Sequence, residues 1–167
     1  MRHLNGLFSG LIIALLSTPL LALEKDREQP IQIEANSAIF NEKAGTSTYT
    51  GDVKVTQGSF RFWSNRLTVY SKNDKMDKMI ATGQPVKFRQ TPEGQSEDIQ
   101  GSALQMEYYG NKSLLIMLKE AKLWQGENIT TSERIEYDNL NAIVQAGKKT
   151  SGSHRVKVIL QPQQNTK

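Results

Sequence analysis

The feature that most constrains the fold is a strand–turn–strand unit that recurs along the chain. Its clearest copy spans residues 51–70 and has a polar turn at residues 57–58. Before the turn, Val53 and Val55 alternate with polar residues, which is the pattern of a strand with one buried face. After the turn, the apolar positions change parity across residues 64–66. The change predicts a bulge or kink there, since such an irregularity alters which parity faces inward.

Two imperfect copies of the unit follow at residues 81–90 and 119–126, the second with Lys119 where the others have a glycine. In the strands between them, a small residue stands three positions before one apolar residue and five before another. These small residues are Ala35, Ser64, Gly101 and Ser132, which are 29, 37 and 31 positions apart. A period of roughly 30 residues is typical of a repeat architecture.

Helical patterns are missing from the sequence: no stretch carries a long helical period with capping residues, which predicts an all-β chain. Strands that follow one another through short turns pair as an antiparallel meander. Residues 33–40 are predicted to form one strand. Residues 114–118 are five consecutive apolar residues, which predicts a strand covered on both faces.

The first residues predict export. A basic start, a short apolar run and a charged segment from Glu24 onward are typical of a signal peptide over residues 1–22. The alternative is an uncleaved N-terminal anchor; both place the rest of the chain outside the cytoplasm. Residues 23–167 are predicted to form a single domain, ordered over about residues 30–162.

Charge and composition exclude several functions. Without residues 1–22 the chain keeps 20 basic and 17 acidic residues, a net charge of +3, with no basic blocks that would indicate nucleic-acid binding. This excess is compatible with an anionic ligand. Without cysteine, and with His154 as the one histidine left, neither a His-based triad nor a thiolate or histidine metal site is expected. We therefore expect no metal and no cofactor.

Carboxylates are the remaining candidates for catalysis. Asp52, Glu107, Glu133 and Glu136 could form a glycosidase pair, but each alternates with apolar neighbours, where a solvated side chain is expected. We therefore do not expect an enzyme.

The apolar parity of the strands predicts either an ordinary packed core or the lining of an open barrel that accepts hydrocarbon. Hydrocarbon binding is favourable at about 0.8 kcal/mol per buried CH₂ group. Composition does not choose between the two. The predicted lipid-binding residues are Ile31, Ile33, Phe40, Val53, Val55, Phe88, Met106, Tyr108, Leu123 and Tyr137. Leu104 is predicted on the same face.

The two ends of such a sheet leave backbone groups unpaired. The predicted edge residues are Ile31, Ile33, Val156, Val158 and Leu160. These edges are either short and protected by flanking loops, or they pair head-to-tail with other copies or with similar domains.

An ordered set of segments covers nearly all of the chain after residue 22. They are Gln29-Pro30-Ile31, Gly51-Asp52-Val53, Val55-Thr56-Gln57-Gly58, Gly83-Gln84-Pro85 with Phe88 and Gln90, Gln105-Met106-Glu107-Tyr108, Ala121-Lys122-Leu123 and Ile135-Glu136-Tyr137. In this order and spacing the chain resembles the OstA-like family of periplasmic lipopolysaccharide-transport proteins, the LptA family. Lys119 departs from the glycine that is usual in this family.

The resemblance implies an open, twisted β-jellyroll in a Gram-negative periplasm. It implies that lipid A acyl chains bind in the apolar interior, with Ile31, Ile33, Phe88 and Tyr108 as contact positions. Copies would associate head-to-tail and join jellyroll domains of an LptC-like inner-membrane partner and an LptD-like outer-membrane partner. The bridge would carry lipopolysaccharide passively from the inner to the outer membrane.

Three other functions stay open on the sequence. A periplasmic carrier or chaperone for another lipid would share the apolar groove but would not assemble through its ends. A structural β-repeat protein would have a filled core and no ligand. A polysaccharide-active enzyme would need a suitably spaced carboxylate pair.

Overall fold

The structure of the chain is a computed structural model. It describes residues 26, 29–73, 75–92, 96–138, 140–141, 143–147 and 155–162. The predicted signal peptide, residues 1–22, lies outside these residues, as does His154. Among the described residues, no helix has the length and apolar character that crossing a membrane requires.

The described chain is almost entirely β-strand. The strands are β1 (Gln32–Glu34), β2 (Ser37–Asn41), β3 (Thr46–Gln57), β4 (Phe60–Lys72), β5 (Lys75–Gln90), β6 (Ile99–Tyr109), β7 (Leu114–Gln125), β8 (Asn128–Asp138), β9 (Ile143–Ala146) and β10 (Lys157–Ile159). One turn of 3-10 helix, Gly110–Lys112, connects β6 to β7. The all-β prediction is confirmed.

All ten strands form one antiparallel sheet. Strands β3 to β8 lie side by side in sequence order. At one end β1 and β2 both pair with β3, and at the other end β9 and β10 both pair with β8. Each end of the sheet therefore consists of two short strands, and in the described residues the ends do not pair with each other to close a barrel.

The five ladders that join consecutive strands from β3 to β8 are the longest in the sheet, and each is interrupted near the middle of its strands. The ladder shifts register between Thr50 and Val53, Trp63 and Arg66, Thr82 and Val86, Ser102 and Gln105, and Leu118 and Ala121. The predicted irregularity at residues 64–66 is confirmed by the second of these shifts. Because bulges bend the strands that carry them, their alignment makes a crease across the sheet. We call the parts on its two sides the first half-sheet, which contains β1 and β10, and the second half-sheet, which contains β2 and β9.

Residues directly opposite in the ladder share a face. One inner row of the first half-sheet runs Ile33, Val55, Phe62, Phe88, Gly101, Leu123, Thr130, Val158. One inner row of the second half-sheet runs Ala38, Tyr49, Leu67, Ala81, Met106, Met117, Ile135, Ala146. Buried members of both rows belong to a single hydrophobic cluster, so the two half-sheets face each other across it.

Two sequence predictions about strands are wrong. Residues 33–40 do not form one strand, because the chain breaks at Asn36, whose backbone N–H donates to the Gly51 carbonyl (2.9 Å). Leu104 does not join the core cluster, because the bulge in β6 gives the buried position to Ala103, which is 1% exposed.

The prediction for residues 114–118 is confirmed. Leu115, Ile116 and Met117 are buried in succession, so β7 is covered on both faces at this point.

Candidate ligand-binding cavity

A cavity of about 300 Å³ lies between the two half-sheets. Its walls are mostly apolar. The lining residues are Asp26, Ile31, Val55, Gln57, Phe60, Phe62, Leu67, Met76, Met79, Ala81, Phe88, Gln90, Met106, Tyr108, Gly110, Ser113, Leu115 and Tyr137. Since both half-sheets contribute, the cavity exists only because the strands bend at the crease.

Three phenylalanines form the wall on the first half-sheet. The Phe60 ring stacks near Phe62 (6.1 Å between centroids) and near Phe88 (6.3 Å). The Phe88 ring occupies the space next to Gly101, where a Cβ atom would lie 2.2 Å from Phe88 Cε1 and 2.9 Å from Met117 Sδ. A glycine is therefore required opposite Phe88 for the ring to occupy this position.

The wall on the second half-sheet combines methionines with tyrosines. Met79 and Tyr108 are directly opposite in the ladder, as are Leu115 and Tyr137. Burial raises the pKa of the Tyr137 hydroxyl above its ordinary value of 10.0, and the charge of Asp138 adds to the shift. The hydroxyl therefore stays neutral at physiological pH. Methionine side chains adapt their shape to irregular apolar partners, which suits a ligand with flexible chains.

Three polar residues of the lining, Asp26, Gln57 and Gln90, form a polar rim on the side of the first half-sheet. Gln57 Nε2 donates to the Gln29 carbonyl (3.0 Å), and the Asp26 carboxylate accepts from the Ser59 backbone N–H (2.9 Å). No group of three or more metal-ligating side chains occurs among the described residues. The interior therefore offers mainly apolar contact, with the buried Ser113 and the Tyr137 hydroxyl among its few polar groups.

The structure brings most of the predicted lipid-binding residues to this cavity. Those in its lining are Ile31, Val55, Phe88, Met106, Tyr108 and Tyr137. Val53 and Leu123 are buried in the adjoining core, and Ile33 packs against that core. Phe40 lies on the inner side of β2 but is 67% exposed, and its ring contacts the edge of Tyr49 (6.0 Å between centroids).

Several lining residues were not among the predicted lipid-binding residues. These are Phe60, Phe62, Leu67, Met76, Met79, Ala81 and Leu115, together with the polar residues of the rim. The parity of β4 already indicated Phe60, Phe62 and Leu67 as inward-facing. Nothing in the pattern distinguished residues that line the cavity from those that fill the core.

The two ends of the sheet expose apolar side chains. At the first end Ile31 is 47% exposed. At the other end Val156, Val158 and Leu160 are 40%, 52% and 73% exposed. Large exposed apolar groups beside unpaired strand edges are typical of interaction surfaces.

An open, creased β-sheet around an apolar cavity defines a β-jellyroll of the kind that can hold a hydrophobic ligand. Residues 32–142 match the family described as "LptA/(LptD N-terminal domain) LPS transport protein". The chain belongs to this family.

Similar proteins support this assignment. The chain is 35% identical to the lipopolysaccharide export system protein LptH of Pseudomonas aeruginosa, over 97% of both chains. It is 28% identical to the lipopolysaccharide export system protein LptA of Escherichia coli K12, over 95% of this chain and 84% of that protein. The crystal structure of LptH, a periplasmic component of the lipopolysaccharide transport device of P. aeruginosa, superposes with a TM-score of 0.75. That superposition covers 83% of this chain and 99% of the other at 33% identity.

Proposed function

We propose that the protein is a periplasmic lipopolysaccharide carrier that holds the acyl chains of lipid A in the cavity between its half-sheets. The observation that carries this proposal is an apolar cavity in a chain of a lipopolysaccharide-transport family. Each acyl CH₂ group moved from water into the cavity contributes about 0.8 kcal/mol, so part of several chains is enough for stable binding. The sugars and their charged groups stay outside the cavity, in contact with water.

Transport between membranes requires a continuous apolar path, and the sheet ends support one. The inner row that starts at Ile33 on β1 finishes at Val158 on β10. If the β1 and β2 end of one copy meets the β9 and β10 end of the next, the apolar rows of the two copies join. We infer head-to-tail assembly of this kind, with similar end contacts to an LptC-like inner-membrane domain and an LptD-like outer-membrane domain.

The movement of lipid through this path is proposed to be passive. The inner surface offers apolar contacts and no nucleotide-binding feature among the described residues, so the energy comes from a partner. Residues 1–22 serve in this proposal as the signal peptide that exports the chain.

Photo-crosslinking from two neighbouring tyrosines tests the proposal. Tyr108 lines the cavity, whereas Tyr109 lies on the opposite face of β6, and both are half-buried. A photoreactive phenylalanine derivative replaces each in turn in bacterial cells. We expect a lipopolysaccharide adduct from position 108 and none from position 109.

Equal adducts from both positions, or none from position 108 in folded periplasmic protein, would contradict an interior lipid site. The second result would favour a structural β-repeat protein, and an adduct with a different lipid would favour a carrier for that lipid. The mass of the uncrosslinked protein reports in the same experiment whether residues 1–22 have been removed, as a cleaved signal peptide requires and an uncleaved anchor does not.

A further inference from the structure

The two long margins of the folded sheet carry opposite charges. The turns that border the second half-sheet are residues 41–46, 72–75, 110–113 and 138–143, and their described residues include four lysines and two acidic residues, Glu42 and Asp138. The turns that border the first half-sheet are residues 58–59, 91–98 and 126–127, and their described residues include three acidic residues and neither lysine nor arginine. We call these the lysine margin and the acidic margin.

Two lysines of the lysine margin lie in an arrangement that lowers the stability of the fold. Lys72 and Lys75 are directly opposite each other in the β4–β5 ladder, and like charges in such a pair are destabilising. No described carboxylate lies within 4.0 Å of the amine of Lys72, Lys75 or Lys112. All three side chains are exposed, so an anion can approach them.

These lysines border the cavity directly. Lys75 is followed by Met76, and Lys112 ends the 3-10 helix that begins at Gly110; Met76 and Gly110 both line the cavity. The two turns are packed together, because a Cβ atom on Gly110 would lie 3.0 Å from Met76 Cε. An amphiphile with acyl chains in the cavity would therefore present its headgroup beside Lys75 and Lys112.

We propose that the lysine margin is a subsite for the phosphate groups of the bound lipid, and that it sets the direction in which the lipid lies in the cavity. This inference rests on the proposed lipid-binding function. Lysine is a compact cation that binds phosphate as a point charge. The acidic margin repels the same phosphate groups. The lipid is therefore held with its phosphates at the lysine margin and away from the acidic margin.

Binding of two matched ligands tests the subsite. The ligands are bisphosphorylated lipid A and its dephosphorylated form with the same acyl chains, presented in the same detergent and measured by calorimetry at low ionic strength. The native protein is expected to bind the phosphorylated form about tenfold more tightly, which is about 1.4 kcal/mol. The double variant Lys75→Gln/Lys112→Gln is expected to lose this preference and to keep its affinity for the dephosphorylated form.

The control variant is Lys54→Gln/Lys87→Gln, which removes the same charge from the outer face of the first half-sheet. It is expected to keep the preference. Equal affinity of the native protein for both ligands, or a preference that survives the Lys75 and Lys112 substitutions, would overturn the subsite and leave the acyl-binding function intact. Binding of neither ligand to the folded native protein would overturn the lipid-binding function itself.

Discussion

At the scale of single residues, the crease depends on backbone conformations that side chains disfavour. In the β3 bulge, Gly51 has φ = 80° and Asp52 has φ = 45°. In the β7 bulge, Lys119 and Glu120 take the same places with φ of 64° and 54°. A residue with a Cβ atom in the left-handed region costs about 1–2 kcal/mol, so the lysine bears a cost that a glycine would avoid.

Replacing Lys119 by glycine should stabilise the protein. Relief of the left-handed conformation outweighs the extra freedom that glycine gives the unfolded chain, for a net gain of about 0.5–1 kcal/mol. Urea unfolding measures the change. Gly51→Ala is the matched control and should destabilise, because a Cβ atom there would lie 2.6 Å from Asn36 Nδ2. A loss of stability in Lys119→Gly would show that the lysine side chain itself supports the bulge.

The alternation of apolar and polar residues predicted which face of the sheet each side chain occupies. It did not predict how deeply each side chain is buried. Phe40 illustrates the difference: it lies on the inner side, but its strand is at the edge of the sheet, so no further strand covers it. Ala103 and Leu104 illustrate a second reason, since the exact position of a bulge decides which of two neighbours is buried. Both depend on contacts between distant strands.

At the scale of secondary-structure elements, strands and turns could be predicted well because each long strand alternates along its own sequence. The division between β1 and β2 could not, because it follows from a bulge in the neighbouring strand. Asn36 donates to the Gly51 carbonyl and, through its side chain, to Asp52 Oδ2 (3.1 Å). The break in one strand is thus specified by the bulge of another.

The edge strands allow a direct test of head-to-tail assembly. The chain has no cysteine, so single cysteines can be placed at Ile33 on β1 and Val158 on β10 without side reactions. Mixed Ile33→Cys and Val158→Cys proteins should form disulfide-linked heterodimers on oxidation, seen on non-reducing gels, because these residues end the same inner row. Each variant alone should give little disulfide-linked dimer, because a head-to-tail contact does not bring two identical positions together.

Lys87→Cys, in the middle of the sheet, is the control for random collision. Linkage of Ile33→Cys to itself in preference to Val158→Cys would indicate a symmetric contact between equal edges, which closes after two copies.

At the scale of the whole molecule, stability should depend on ionised carboxylates in the turns at the margins. The pKa of Asp98 is lowered chiefly by a hydrogen bond from Thr91, with further lowering by Arg89. The pKa of Asp138 is lowered chiefly by the Asn141 side chain and backbone N–H. A lowered folded-state pKa gives stability that is present above the unfolded value of 3.8 and is lost as pH falls through the folded value.

Acid unfolding measures this dependence. The native protein should lose stability below about pH 4, and Asp98→Asn should lose less over the same interval because its side chain does not titrate. Glu127→Gln, which removes an acidic residue of the same margin, is the comparison for a change of net charge. An unchanged acid slope in Asp98→Asn would show that the Thr91 and Arg89 contacts do not stabilise the folded state.

The global arrangement was predictable from the sequence through its repeated strands and its family resemblance. The cavity itself was not, since a filled core and an open groove place the same apolar residues on the same face. The choice between them depends on the angle between the half-sheets, which is a property of all the bulges together and of no single residue.

The aligned bulges also determine how the molecule deforms. Both half-sheets are made of the same strands. The two half-sheets can therefore move apart about the crease to admit a wider ligand without breaking the hydrogen bonds between neighbouring strands. The flexibility is then concentrated in the bulge residues along the crease, and each half-sheet keeps its own shape. In a head-to-tail row of copies, a moving lipid would push the half-sheets apart where it lies, and they would close again after it had passed.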